Sequence, residues 1–485
     1  MSRGRVTDGL PTRSAAAAAA GIGNDETVLV SGFGSVGYPK AVPSAIADAA
    51  LADERDPSLT VVSGGSVGPE IDHELVEVGA IERRFPYQSG EAIRNAVNDG
   101  SIAFHDRHIS SLGDEVQYGG LVDPDVAVVE ALSVGPDWLV PTTSIGHTPA
   151  FVAAADRLIV EVNAAIPEAV ARFHDVYRPK RPPNREPIPL TEPGGRIGDE
   201  RVRFDPDQLV AVVETDRRDR PYEFRDPTDD DRAIAANLRT FLEREVERSP
   251  LFEESLRVQF GVGSLGNALM SALGDGDFGD RDLVYFGEVI QDGLLDLLDA
   301  GDLAAASATS LALSAAGQDR LFENVDRYVD DVVLRPADLS NNPALIDRFG
   351  VVGVNSALEV DLYGHVNSTH VGGTDVMNGI GGSADFNRHA ALSVLALPST
   401  AAGGDVSRIV PMVPHADHTE HDVDVVVTER GVADLRGAAP RERAELLVSS
   451  CAHPEYAESL RAYADGTDGH IPHDLDRAFD WRSGE

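Results

Sequence analysis

Leu283-Val-Tyr-Phe-Gly-Glu288-Val-Ile-Gln-Asp-Gly293 is the stretch on which the reading of this chain turns. Leu283 to Phe286 is a short apolar run of the kind a buried strand needs. Glu288 stands just past its end, and Gln291-Asp292-Gly293 supplies turn chemistry before an apolar helical pattern begins at Leu294. Strand, turn and helix in that order build an open α/β sheet, and such sheets take their ligands beyond the carboxyl ends of their strands. A carboxylate at that place can act as a base, bind a ribose hydroxyl, or attack an acyl group itself.

The pattern repeats on both sides. Val28–Ser31, Leu59–Ser63, Val126–Glu130, Leu158–Val162 and Leu209–Thr215 are runs of strand length, separated in several places by helix-like segments, so a largely parallel sheet is expected. Residues 177–207 are rich in proline and form an extended excursion, not an element. A new unit begins near Asp226-Pro-Thr228, where Thr228 and Asp231 make a capping-box-like start to a helix with Ile234, Leu238, Phe241, Leu242 and Val246 on one face. Strands at Leu256–Phe260, Leu283–Phe286, Val351–Val354, Leu392–Leu397, Ile409–Val413 and Val423–Thr428 then extend a second sheet, with helices at Ala268–Leu273 and Leu294–Ala300. The reading is therefore two α/β domains, 1–226 and 227–485, the second carrying Glu288.

Composition bounds the function. The chain of 485 residues has Asp+Glu 81 against Lys+Arg 41, a formal net charge of −40, and only two lysines, Lys40 and Lys180. Such self-repulsion is tolerated when concentrated salt shortens the Debye length, so the acidity reads as adaptation to a salty cytosol, that is, as halophilic. No basic stripe exists to neutralise phosphates, which disfavours nucleic acid as a partner. No apolar stretch approaches the roughly 18 residues that would span a bilayer, and Ala15–Ala20 lacks the long apolar region of a signal peptide. It reads as a plain helix entered through Thr12 or Ser14. A single cysteine, Cys451, excludes an internal disulfide and any multi-cysteine metal site. The expected location is the cytoplasm.

Each half carries a formal G-x-G-x-x-G between strand and helix: Gly32-Phe-Gly34-Ser-Val-Gly37 and Gly261-Val-Gly263-Ser-Leu-Gly266. Glu288 lies 22 residues beyond Gly266, close to where a ribose-binding acid would sit, so an NAD-dependent oxidoreductase is a hypothesis of another class. Common to all readings is that glycines at a helix entrance let a ligand reach backbone N–H groups, where the helix dipole favours negative charge. A further glycine cluster spans Met377–Phe386. Beyond it His415, His418 and His421, interleaved with Asp417, Glu420 and Asp422, look superficially like metal ligands; spacing three on an irregular segment does not fix a facial set, and a hydrogen-bonded polar loop is the plainer account.

Assembled, these segments resemble the acetyl-CoA hydrolase/transferase family, and within the class I CoA-transferases the succinyl-CoA:acetate CoA-transferases. The resemblance rests on Ser31-Gly-Phe with Gly37-Tyr-Pro-Lys-Ala-Val-Pro43, Ser66-Val-Gly-Pro-Glu70, Pro86-Tyr-Gln-Ser89 and His174-Asp-Val-Tyr177 in the first half. In the second it rests on Gly287–Gly293, Asn367-Ser-Thr-His370, Met377–Phe386, His415–Val423 and Thr428–Gly437. It implies two open α/β domains of the class I CoA-transferase type with the active site between them, no bound metal, and no permanent cofactor. Coenzyme A is a substrate, CoA moving between a short acyl-CoA and a carboxylic acid such as acetate or succinate. Hydrolysis of acetyl-CoA is the alternative within the family. Acyl-CoA, small acids and a second copy of the chain are the expected partners, with neither nucleic acid nor membrane.

Carried over residue by residue, the resemblance makes Glu288 the nucleophile that ends as a glutamyl-CoA thioester. It assigns the oxyanion donors to the backbone N–H groups of Val262 and Gly382. Gly261, Val262, Gly263, Ser264, Leu265, Asn378 and Gly382 line the CoA site, and Asn341 and Glu429 position groups around Glu288. Arg220 falls near an arginine suggested to meet the acyl carboxylate, with Arg217 and Arg218 close enough to confuse the register. Read as residues alone, Asn341 could be just a helix cap in Ser340-Asn-Asn-Pro343, and Glu429 could pair with Arg430 or Arg436. One departure stands out: Ser399-Thr-Ala-Ala402-Gly-Gly404 has alanine where the family commonly has a lysine near CoA.

Overall fold

The computed structural model describes residues 4–466 and 468–479. Two compact units emerge: one comprises 1–223, 285–298 and 305–345, the other 224–284, 299–304 and 346–485. The first change of unit falls between 223 and 224. The segment with Glu288, however, clusters with the first unit, as does the stretch from 305 to 345. Chain order alone could not reveal this, because a single boundary cannot describe a segment that returns to an earlier unit.

In the first unit a nine-stranded sheet is centred on Thr27–Val30. On one side that strand pairs parallel with Leu59–Ser63, followed by Ile81–Phe85 and Ala103–Phe104. On the other it pairs parallel with Val126–Val134, followed by Arg157–Asn163 and Leu209–Thr215. Trp138–Pro141 and Val202–Arg203 add an antiparallel flank. The chain winds one way from the central strand and then the other, so the topological switch point lies between Thr27–Val30 and Val126–Val134. Valine and isoleucine dominate these strands because both faces are covered, and Val28, Val30, Val61, Val126, Val128 and Ile159 form one buried core. The Ala-rich helix is real, Ala15–Ala19, and Ser14 is its N-cap.

The second unit has its own parallel series, Ser255–Phe260, Val352–Ser356, Leu392–Ala396 and Val425–Thr428, closed by the antiparallel strand Gly431–Asp434. Thr228 caps the helix Asp229–Arg248, its hydroxyl accepting from the Asp231 N–H while the Asp231 carboxylate accepts from the Thr228 N–H. One expectation is corrected. The 409–413 run does not extend the main sheet; only Ile409–Val410 is strand, and it pairs with Glu359–Asp361 in a separate three-stranded sheet. A short apolar run states that a segment is buried, not which sheet buries it.

Candidate active site

Glu288 sits in a turn fixed by backbone hydrogen bonds. Its carbonyl accepts from the N–H groups of Thr309 (2.9 Å) and Ser310 (3.2 Å), and Gly287 N–H donates to Ser307. Val289–Ile290 then pairs with Ser310–Leu311, and the Asp292 carboxylate accepts from Ser314 at the start of the next helix. The Glu288 side chain is half-buried. Its Oε1 accepts a hydrogen bond of 2.9 Å from Asn341 Nδ2. Asn341 is fully buried, and Ser340 Oγ donates to its Oδ1, which fixes the amide so that its NH2 faces the carboxylate. Asn341 also ends the helix Ala337–Ser340 as its C-cap. The cap and the contact with Glu288 are therefore both present.

The first glycine loop packs close to this turn. Gly34, at φ +66°, leaves room for Ser310 Oγ and the Val289 side chain, which a Cβ would meet at 3.2 and 3.4 Å. Two tyrosines stand near as well. Burial pushes the phenol of Tyr87 up, and the charges of Tyr222 and Glu288 push it further. Tyr87 holds a left-handed backbone at φ +40°, rare for an aromatic residue and typical of functional loops. Neither tyrosine was singled out from sequence. Tyr87 lies in a quoted motif, but nothing in its spacing marks a strained backbone.

Helix entrances differ between the two glycine loops. At Ala41–Leu51 the N-terminus is already occupied: the buried carboxylate of Glu161 accepts from the N–H groups of Lys40 (2.8 Å), Ala41 (2.9 Å) and Val42 (2.6 Å). A pyrophosphate has no donors left to take there, and the loop serves close packing, Gly37 lying against Ser144. At the Gly261–Gly266 loop a Cβ on Gly263 would meet nothing within 4 Å. Gly261 N–H completes the sheet by donating to Val354, Val262 is exposed, and Gly263 at φ +129° begins the helix Ser264–Leu273.

In the second unit a buried amide ladder joins the segments that carry the remaining candidates. Gln259 Nε2 donates to Asn355 Oδ1 (3.1 Å), and Asn355 Nδ2 donates to Asn387 Oδ1 (2.9 Å). This ties the strand entering Gly261–Leu265 to the helix Ser383–His389, whose N-cap is Gly382. Asn378 donates to the Gly379 carbonyl in the preceding glycine turn. Glu429 pairs with neither arginine considered for it. Its Oε2 accepts from Ser399 N–H (2.7 Å) and its Oε1 from Ser399 Oγ, while Arg436 binds Glu245 and Asp434. Glu429 thereby anchors the loop that leads to Ala402, an exposed residue at φ +51°.

The histidine segment is a polar clasp. His415 Nε2 lies 3.1 Å from Asp417 Oδ1, Asp417 accepts from Ser368 N–H and Thr369 Oγ1, and His418 Nε2 is 3.4 Å from Ser383 Oγ, beside Gly382. His421 is exposed next to Glu420. Among the described residues no group of three or more His, Cys, Asp or Glu side chains could hold a metal ion.

Arg220 is exposed in the first unit, lining a cavity of about 860 Å3 with Tyr38, Asp72, His73 and Tyr222. Arg217 and Arg218 stay outside it and line a neighbouring cavity of about 400 Å3, which Arg220 also borders.

Among solved structures, RipA from Yersinia pestis shares this fold, with a TM-score of 0.71 at 21% identity over 95% of this chain and 97% of that one. The sequence places the chain further. It is 42% identical to the succinyl-CoA:acetate CoA-transferase of Clostridium kluyveri, over 95% of this chain and 86% of that protein. It is 40% identical to the acetyl-CoA hydrolase of Candida glabrata, over 93% and 89%. The N-terminal and C-terminal domains of acetyl-CoA hydrolase/transferases match at residues 12–214 and 317–464. The chain belongs to the acetyl-CoA hydrolase/transferase family and is an enzyme of it.

Proposed function

We propose that the protein transfers CoA between a short acyl-CoA and a carboxylic acid, acetate and succinate foremost, through a thioester on Glu288. The observation that carries this reading is the 2.9 Å hydrogen bond from a buried, pre-oriented Asn341 amide to the Glu288 carboxylate. A neutral donor on one oxygen orients the group without neutralising it, so the carboxylate stays charged for attack. That oxygen adds to the thioester carbonyl; CoA leaves as thiolate and a mixed anhydride forms. The thiolate then adds to the Glu288 side of the anhydride, giving the glutamyl-CoA thioester and releasing the first acid as carboxylate. The incoming carboxylate runs the two steps in reverse. Each addition puts negative charge on a carbonyl oxygen, for which the N–H groups of Val262 and Gly382 are the proposed donors. Loss of one such donor typically costs ~10²–10³ in rate. Gly261–Leu265 and Asn378 are proposed to line CoA, and Glu429 to act through Ser399.

Net hydrolysis of acetyl-CoA differs only in the last acceptor, water in place of an acid, and the names of the relatives divide between the two activities. One assay separates them: acetyl-CoA consumption in molar salt, with and without succinate, following free thiol and succinyl-CoA. Succinate-dependent succinyl-CoA without thiol release supports transfer. Thiol release indifferent to succinate makes the enzyme a hydrolase.

A further inference from the structure

Lys40 is one of two lysines in the chain, and it is buried to 1% exposure. Its ammonium has three donors and finds three acceptors: Glu130 Oε2 at 2.6 Å, Asp219 Oδ1 at 2.9 Å and the Tyr38 carbonyl at 2.9 Å. The Tyr38 ring lies 4.3 Å from it. Burial works against the charge, but the two carboxylates outweigh it and hold the lysine protonated. A guanidinium is planar and larger, and cannot place three donors in so compact a pyramid. That geometry explains why lysine stands here in a chain whose cations are nearly all arginine.

The cluster is built on two neighbouring parallel strands of the sheet. Glu130 lies on Val126–Val134, while Glu161 and Asn163 lie on the neighbouring Arg157–Asn163, all three buried. The cluster grips the segment that follows the last strand. Residues 216–223 have no regular structure. Asp219 is drawn inward by Lys40, by Gly37 N–H (3.1 Å) and by the Thr143 hydroxyl (2.5 Å). Asn163 Nδ2 bridges Glu130 (3.0 Å) and the carbonyl of Arg217 (2.6 Å). With 217 and 219 anchored inward, Arg220 is turned to the 860 Å3 cavity.

We infer that Lys40 is a positioning residue: through Asp219 it holds the 217–220 segment so that Arg220 meets the distal carboxylate of a dicarboxylic acid. This rests on the reading of Arg220 as the group that receives that carboxylate. Without Lys40, Glu130 and Asp219 are two buried carboxylates facing each other with no cation, and the segment carrying Asp219 is the one free to leave.

The test compares the full-length enzyme with Arg220→Met, Lys40→Met, Lys40→Arg and Asp219→Asn, each in molar salt, with acetate and with succinate as acceptor. Arg220→Met should raise the KM for succinate by roughly tenfold or more, the scale of one lost charge-assisted hydrogen bond. Lys40→Met and Asp219→Asn should raise the same KM while leaving that for acetate unchanged, and Lys40→Arg should not rescue it. If Lys40→Met does not fold, Asp219→Asn decides, since it keeps the side chain's shape and an acceptor oxygen. Equal losses with both acids would reduce Lys40 to a structural role and overturn the inference. A normal succinate KM in Lys40→Met and Asp219→Asn, with Arg220→Met impaired, overturns it alone. A normal succinate KM in Arg220→Met removes the Arg220 reading and this inference together, as does an unmodified enzyme unable to use succinate.

Discussion

At Glu288 the proposed chemistry makes sharp demands on single atoms. Incubation with acyl-CoA and no acceptor should leave CoA on this side chain, seen as a mass increment lost on treatment with borohydride or hydroxylamine. Glu288→Gln should fold normally and show neither adduct nor turnover; full activity in that variant would end the covalent mechanism. Glu288→Asp withdraws the carboxylate by about 1.5 Å, and a displacement of ~1 Å can cost ~10²-fold. Asn341→Ala removes the oriented donor and should slow adduct formation by about tenfold to a hundredfold, the range of one hydrogen bond to a charged group. The carboxylate was readable from sequence because it ends an apolar run. Its partner Asn341, 53 residues away, is reached only through the family resemblance, because read alone it looks like any helix cap. Glu429 teaches the same lesson: charge suggested an arginine, yet the partner is the hydroxyl and N–H of Ser399.

Individual elements were easier to read than their partners. Leu59–Ser63 and Leu209–Thr215 fall where the apolar runs put them, and Thr228 caps its helix as its spacing with Asp231 required. Thr228→Ala should lower stability by about 1 kcal/mol, measured as a shift in the denaturant midpoint at constant slope. The glycine loops show where pattern alone misleads. Two formally equal fingerprints differ in their surroundings: Glu161, more than a hundred residues downstream, takes the first N–H groups of one helix, whereas at the other loop Val262 is exposed. Gly37→Ala should destabilise the first unit by 1–3 kcal/mol, roughly, since the new Cβ would lie 2.7 Å from Ser144 at a backbone φ of +66°. Unchanged thermal stability in that variant would show the loop to be more yielding than its contacts imply.

For the molecule as a whole, charge and pH set the working range. A net charge of −40 with lysine nearly absent predicts loss of structure on dilution. Circular dichroism and the thermal midpoint should fall between molar and ~0.1 M salt, where the Debye length grows from about 3 to about 10 Å. No change would argue against halophilic adaptation. A second response comes from His174, buried at the end of the helical turn Glu168–Phe173 with Nε2 3.0 Å from the Thr142 carbonyl. Burial pulls its pKa from 6.5 down to about 4. Unfolding frees it to take a proton, so its contribution is complete above about pH 6.5 and is lost as pH falls towards 4, on the order of 3 kcal/mol in all. His174→Gln should flatten that part of the acid-side stability curve. Family and fold were readable at this scale. The regrouping of Tyr285–Leu298 and Ala305–Leu345 with the first unit was not, because long-range packing leaves no local mark.

The two lysines have a practical consequence. Lys180 is two-thirds exposed beside Glu186, whereas the Lys40 amine is sealed. An amine-acylating reagent should therefore modify Lys180 in the native protein and spare Lys40, with peptide mass mapping to tell them apart. Once the first unit opens, the second side chain becomes reactive. Acylation at position 40 is thus a built-in clock for opening of that unit, readable in brine and in the presence of substrate, with no residue introduced by mutation.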